Sequence, residues 1–248
     1  MAADVFASFD GQPIAWREVG SGRPVVLLHG LFSDAETNWI RFGAAATIAA
    51  AGFRVILPDL RGHGASAKPH DAAAYPPDVL AMDTAALVAH LGLTDYDLGG
   101  YSLGSRTTVR CLVRGMAPRR VVLGGMGLAG LVEVGRRTDW FLSVIADPDR
   151  FERGSAGWTA VQFMRTNGVD GAATAHVLRS QVVTPRAALD GLTRPTLVVC
   201  GVDDADNGSA PELAAALPNA VYAEVGGTHM SSVTKPEFGA AIAEFLAK

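Results

Sequence analysis

The chain has 248 residues, of which 49% are hydrophobic and 19% charged, with a formal net charge of −4. That apolar mass excludes a disordered chain, and its 28 glycines follow no three-residue period, which excludes a collagen-like one. The weakly acidic balance, with Lys and Arg scattered along the chain, argues against a nucleic-acid partner.

A length near 250 fits one α/β domain with room for an insertion. The N-terminal stretch lacks the basic and then apolar regions of a secretory signal. No apolar run approaches the ~18 residues of a membrane helix. The expectation is therefore a soluble cytoplasmic protein. Cys111 and Cys200 sit inside apolar runs and read as reduced packing residues, without the His/Cys company of a metal site.

In chain order, Val5–Phe9 and Ile14–Val19 flank Asp10-Gly11 and predict a hairpin. Pro24–Leu28 is a short apolar run suited to a strand buried on both faces. Ala35–Ala51 is helical in composition, Gly52 stops it, and Phe53–Leu57 predicts the next strand. Pro77–Leu91 carries Leu80, Ala81, Thr84, Leu87, Val88 and Leu91 at helical spacing, capped by Gly92. Asp95–Gly100 reads as a strand followed at once by a helix over Leu103–Met116, and Arg120–Gly124 as the next strand.

After a long interval, Pro195–Gly201 is again strand-like. Glu212–Leu217 reads as a helix, Val221–Val225 as a strand and Pro236–Ala247 as a closing helix. Strand–helix alternation of this kind predicts a mostly parallel sheet covered by helices on both faces. The interval, about 125–192, has no buried-strand run and predicts a helical cap inserted into a core of 1–124 and 193–248. The segment is too short for a core of its own, so Trp140, Phe141, Trp158 and Phe163 are expected to include a pocket wall.

The chemistry concentrates at Gly100-Tyr-Ser-Leu-Gly104, a G-x-S-x-G pattern between a strand and a helix. A turn that sharp leaves no room for side chains at 100 and 104. It lifts Ser102 to the positive N-terminus of the following helix. A serine nucleophile needs a base oriented by a third group. Of the six histidines, His229 lies in a loop between the last strand and the last helix, where parallel sheets place their sites. The loop after Gly201 offers Asp203, Asp204 and Asp206 as the orienting acid. Arg106, Arg136 and Arg137 are possible partners for a substrate carboxylate, although such residues are more often solvated.

Four separated motifs carry a resemblance: His29-Gly30 after a strand, Asp59-Leu-Arg-Gly-His-Gly64, the Ser102 turn, and Gly201-x-x-Asp204 followed by His229. In this order they resemble the α/β-hydrolases with a helical cap, over nearly the whole chain. The resemblance implies Asp204 as the acid, because the family acid is the third residue after that glycine. It implies backbone N–H groups of Leu31 and Leu103 as the oxyanion hole, and His29, Arg61 and His63 as residues that hold their turns. Many relatives follow the turn with a second glycine, where this chain has Ser105 and Arg106.

A serine at the nucleophile position disfavours the dehalogenase and epoxide-hydrolase chemistry of this fold, which attacks with a carboxylate. It implies hydrolysis of a small carboxylic ester or lactone, with C–C cleavage and perhydrolysis as alternatives on the same residues. A ligand receptor on this fold is the alternative outside catalysis. No cofactor or metal is implied, and a small molecule is the expected partner.

Overall fold

The computed structural model describes residues 3–248. Its centre is an eight-stranded sheet ordered β1-β2-β4-β3-β5-β6-β7-β8. The strands are β1 (Asp4–Ala7), β2 (Pro13–Val19), β3 (Arg23–Leu28), β4 (Phe53–Pro58), β5 (Asp97–Tyr101), β6 (Val121–Gly124), β7 (Thr196–Gly201) and β8 (Ala220–Val225). The β1–β2 and β2–β4 pairs are antiparallel, and all the others are parallel.

Alternation along each central strand sends side chains to opposite faces. Val25 and Leu27 pack beneath α1 (Ala44–Ala50) and α9 (Pro236–Ala247), through Ile48, Phe238 and Ile242. Val26 and Leu28 pack against α2 (Val79–His90) and the start of α3 (Leu103–Val113), through Val79, Leu80 and Leu103. Farther along the sheet, α8 (Ala210–Ala216) covers Val121, Leu123 and Val198 with Leu213. This is the predicted α/β sandwich.

One predicted helix breaks. Ala35–Ala51 folds as a π-helical turn, Glu36–Ile40, and then α1. Gly43, at φ 84°, leaves the right-handed helical region between them. Between β6 and β7 the chain forms α4 (Ala129–Val132), α5 (Val134–Ala146), α6 (Ala156–Thr166) and α7 (Gly171–Arg179), with no strand among them. This segment does have a small core, contrary to the expectation from its length. Val144 and Val161 bury themselves with Phe32 from the loop after β3, and Trp140, Phe163 and Met164 pack around them. The Phe32 and Phe141 rings meet edge to face, 5.4 Å between centroids. A residue borrowed from the sheet side supplies the mass that the segment lacks.

Candidate active site

Ser102 stands between β5 and α3 with φ 52° and ψ −108°, a conformation that a non-glycine residue adopts only at a cost. The crowding around it explains the flanking glycines. A Cβ on Gly104 would overlap the Leu28 carbonyl, and one on Gly100 would overlap the Gly104 backbone. Ser105 fits by donating its hydroxyl to the carbonyls of Gly100 and Gly124, at 2.8 Å each.

Two loops approach Ser102 from the sheet's carboxyl end. His229 Nε2 lies 3.0 Å from Ser102 Oγ, and His229 Nδ1 lies 2.8 Å from Asp204 Oδ2. A carboxylate can only accept, so Nδ1 carries the proton and Nε2 is left to accept from the serine hydroxyl. The Asp204 side chain is 1% exposed and that of His229 is 11% exposed. Burial alone would raise the Asp204 carboxyl. The hydrogen bond and charge of His229 outweigh it, and the net shift is downward.

The other two candidate acids are elsewhere. Asp203 is exposed. Asp206 is also exposed and pairs with Arg137 at 3.0 Å. The acid and base loops touch through glycine: a Cβ on Gly201 would overlap the Gly227 carbonyl, and Gly227 itself sits at φ 106°.

Leu31 and Leu103 line one cleft with Ser102. Leu103 opens α3, so its N–H has no helical partner, and no acceptor among the described residues takes the Leu31 N–H. The loop bearing Leu31 is braced by His29, which is fully buried. His29 Nδ1 donates to the Gly30 carbonyl at 2.8 Å, and its Nε2 accepts from the Leu60 N–H at 2.9 Å. Burial pushes this imidazole down, against the pull of Asp59, and the neutral ring is the form that fits both bonds. Arg61 is equally buried and paired with Asp10 and Asp83. His63 donates from Nδ1 to the Arg61 carbonyl at 3.1 Å.

The far wall of the cleft comes from the segment between β6 and β7, through Arg137, Thr138, Phe141, Leu178 and Gln181. Of the four predicted pocket aromatics, only Phe141 lines it. Trp140 lies on the same helix, about 100° round from Phe141, and with Phe163 packs into the segment's core. Trp158, half-buried on α6, reaches neither that core nor the cleft. The aromatic spacing was a packing signal rather than a lining signal.

Two residues at the site had no functional signal in the sequence. Asn207 donates to the Gly125 carbonyl at 2.8 Å and lines the cleft from the loop after Asp204. Cys200, read only as a packing residue, directs its thiol at Asp204 Oδ2 from 3.3 Å. Among the described residues no group of three or more His, Cys, Asp or Glu is gathered as metal ligands, and no helix is long and apolar enough to cross a membrane.

Comparison with known proteins agrees with this fold. The family profile described as alpha/beta hydrolase fold matches residues 23–121. A non-heme haloperoxidase from Rhodococcus erythropolis is 32% identical over 228 residues, covering 79% of this chain and 80% of that protein. An epoxide hydrolase from Caballeronia sordidicola is 40% identical over 84 residues, 29% of this chain and 25% of that one. The crystal structure of an esterase from Rhodococcus sp. ECU1013 superposes with a TM-score of 0.77 at 25% identity, covering 100% of this chain and 99% of that one.

Proposed function

The chain belongs to the α/β-hydrolase family, and from that premise we propose that it is a serine hydrolase cleaving a small carboxylic ester or lactone. The observation that carries the reading is the run of contacts from Ser102 Oγ to His229 Nε2 at 3.0 Å and from His229 Nδ1 to Asp204 Oδ2 at 2.8 Å. In this reading Ser102 attacks the carbonyl carbon as His229 takes the hydroxyl proton. Asp204 holds the imidazole in the accepting tautomer and stabilises the imidazolium. The N–H groups of Leu31 and Leu103 receive the oxyanion. His229 then protonates the departing alkoxide, and water, activated by the same base, cleaves the acyl-enzyme.

The segment 125–192 serves as a cap over a core of 1–124 and 193–248. Its support is that Arg137, Phe141 and Gln181 line the cleft on the side facing Ser102. A cap excludes bulk water where charge develops. The epoxide hydrolase relative does not redirect the reading, because Ser102 has no carboxylate with which to open an epoxide.

Perhydrolysis is a second reading, favoured by the haloperoxidase relative that this chain spans over 80% of its length. It uses the same acyl-enzyme, with hydrogen peroxide in place of water. Steady-state assays with p-nitrophenyl acetate, with and without peroxide, test both. Turnover lost in Ser102→Ala supports the hydrolase reading, and peracid formation adds the second. Absence of turnover on esters and lactones alike sinks it.

A further inference from the structure

Arg106 follows Ser102 by one turn of α3, its N–H bonded to the Ser102 carbonyl at 3.0 Å. Ser102 and Arg106 line the same cleft. Arg106 is 8% exposed. Its Nε donates to the Gly130 carbonyl at 2.8 Å, and its Nη1 donates to Gln181 Oε1. Both partners are neutral.

The contrast with Arg61 is direct. That buried guanidinium meets Asp10 at 2.6 Å and Asp83 at 2.7 Å, whereas no described carboxylate pairs with Arg106. In the adjoining cavity, which Arg106 also borders, Asp78 is engaged by two of the three guanidinium nitrogens of Arg110, Nε and Nη2, at 2.9 and 2.8 Å. Asp206, an exposed acid, is engaged by Arg137. Arg137 lines the same cleft, its charge met by Asp206. Burial and then the charge of Arg137 push the Arg106 guanidinium down to about 10, which still leaves it cationic at neutral pH.

Spare hydrogen-bonding capacity surrounds this charge. Gln181 Nε2 and Thr138 Oγ1 are buried without a partner, and both residues line the cleft with Ser102 and Arg106. A buried cation without a counter-charge, beside unused donors, is a costly arrangement unless an anion completes it. Guanidinium matches a carboxylate in both charge and fork geometry.

We propose that the cleft takes a substrate carrying a carboxylate, held by Arg106 with Gln181 and Thr138 while Ser102 attacks the ester or lactone carbonyl of the same molecule. The inference rests on the serine-hydrolase reading and specifies its substrate class.

The test compares p-nitrophenyl pentanoate with mono-p-nitrophenyl glutarate, which places a carboxylate where the other has a methyl group. The wild type is expected to prefer the glutarate in kcat/KM by about 10- to 100-fold, the scale of hydrogen bonds to a charged group. Arg106→Gln should abolish that ratio, and Arg106→Lys should restore part of it. Equal kcat/KM for the two esters in the wild type, or a ratio that survives Arg106→Gln, overturns the proposal. If Arg106→Gln does not fold, inhibition of wild-type pentanoate turnover decides. Glutarate should compete and its diamide should not, and equal potency of the two overturns the proposal. If the wild type turns over neither ester, the hydrolase reading falls, and calorimetry of the wild type with glutarate and glutaramide tests the anion site alone. Binding of glutarate only supports the site, and equal or absent binding refutes it.

Discussion

The Tyr101 hydroxyl donates a 2.6 Å hydrogen bond to the backbone carbonyl of His229. Tyr101 immediately precedes Ser102, so the last residue of β5 is tied to the loop that carries the proposed base. The same oxygen lies 2.9 Å from Ser232 Oγ, and the Tyr101 and His229 rings stand 5.2 Å apart. Tyr101 is 4% exposed, so water has little room to replace it.

Tyr101→Phe should therefore leave a part-buried carbonyl and a buried hydroxyl short of a partner. The expected loss of folding stability is about 1–3 kcal/mol, read by urea denaturation. Ester kcat should fall as the His229 loop loosens. Unchanged stability and kcat would show that the loop is held by its other contacts.

Asp204→Asn should cost on the order of 10⁴ in kcat, because an amide can donate to Nδ1 and so permits the wrong imidazole tautomer. Asp203→Asn and Asp206→Asn should be mild by comparison, since neither residue reaches His229. Because His229 holds the Asp204 carboxyl below its ordinary value, loss of ester turnover in mildly acidic buffer belongs to another group. Steady-state assays of the three variants check the assignment. A larger loss in Asp203→Asn would contradict it.

The strand–helix alternation and the Ser102 turn were legible because each rests on local chemistry: apolar runs of strand length, and glycines where backbone passes close to backbone. The break near Gly43 was not, because the alanines on both sides favour helix and only the tertiary position of Trp39 and α1 decides where the chain turns. The cleft wall was less legible still. Helical spacing marks Trp140, Phe141 and Phe163 as apolar positions, but which of them faces Ser102 depends on how α5 rests on Phe32. Arg106 reads as a surface residue by its polarity, and the fold buries it.

Phe141→Ala should change the preference between acetyl and longer acyl esters by roughly 1–3 kcal/mol in kcat/KM, the scale of an altered apolar pocket. Trp158→Ala should leave that ratio in place, since Trp158 does not line the cleft. Assays over a series of p-nitrophenyl esters separate the two. The reverse pattern would move the specificity wall from α5 to α6.

His63 gives a stability prediction with a definite sign. Burial holds its imidazole down at about 3, against an ordinary 6.5. Between these values the unfolded chain binds a proton that the folded chain refuses. Stability is therefore full above the unfolded value and falls as pH drops below it, by about 1.4 kcal/mol per pH unit for one such group. Denaturation at mildly acidic pH values, compared with His63→Gln, should show a shallower pH slope in the variant. Identical slopes would mean that His63 is protonated in the folded protein.

The central claim is that Ser102 is a nucleophile activated by His229 and Asp204. Labelling with a fluorophosphonate, followed by intact mass and peptide mapping, tests it without knowledge of the natural substrate. The account predicts one adduct per chain, on Ser102, formed orders of magnitude more slowly in His229→Ala and absent in Ser102→Ala, on the scale of ~10⁶ for loss of such a residue. An unlabelled wild type, or a label that persists in folded Ser102→Ala, would contradict it.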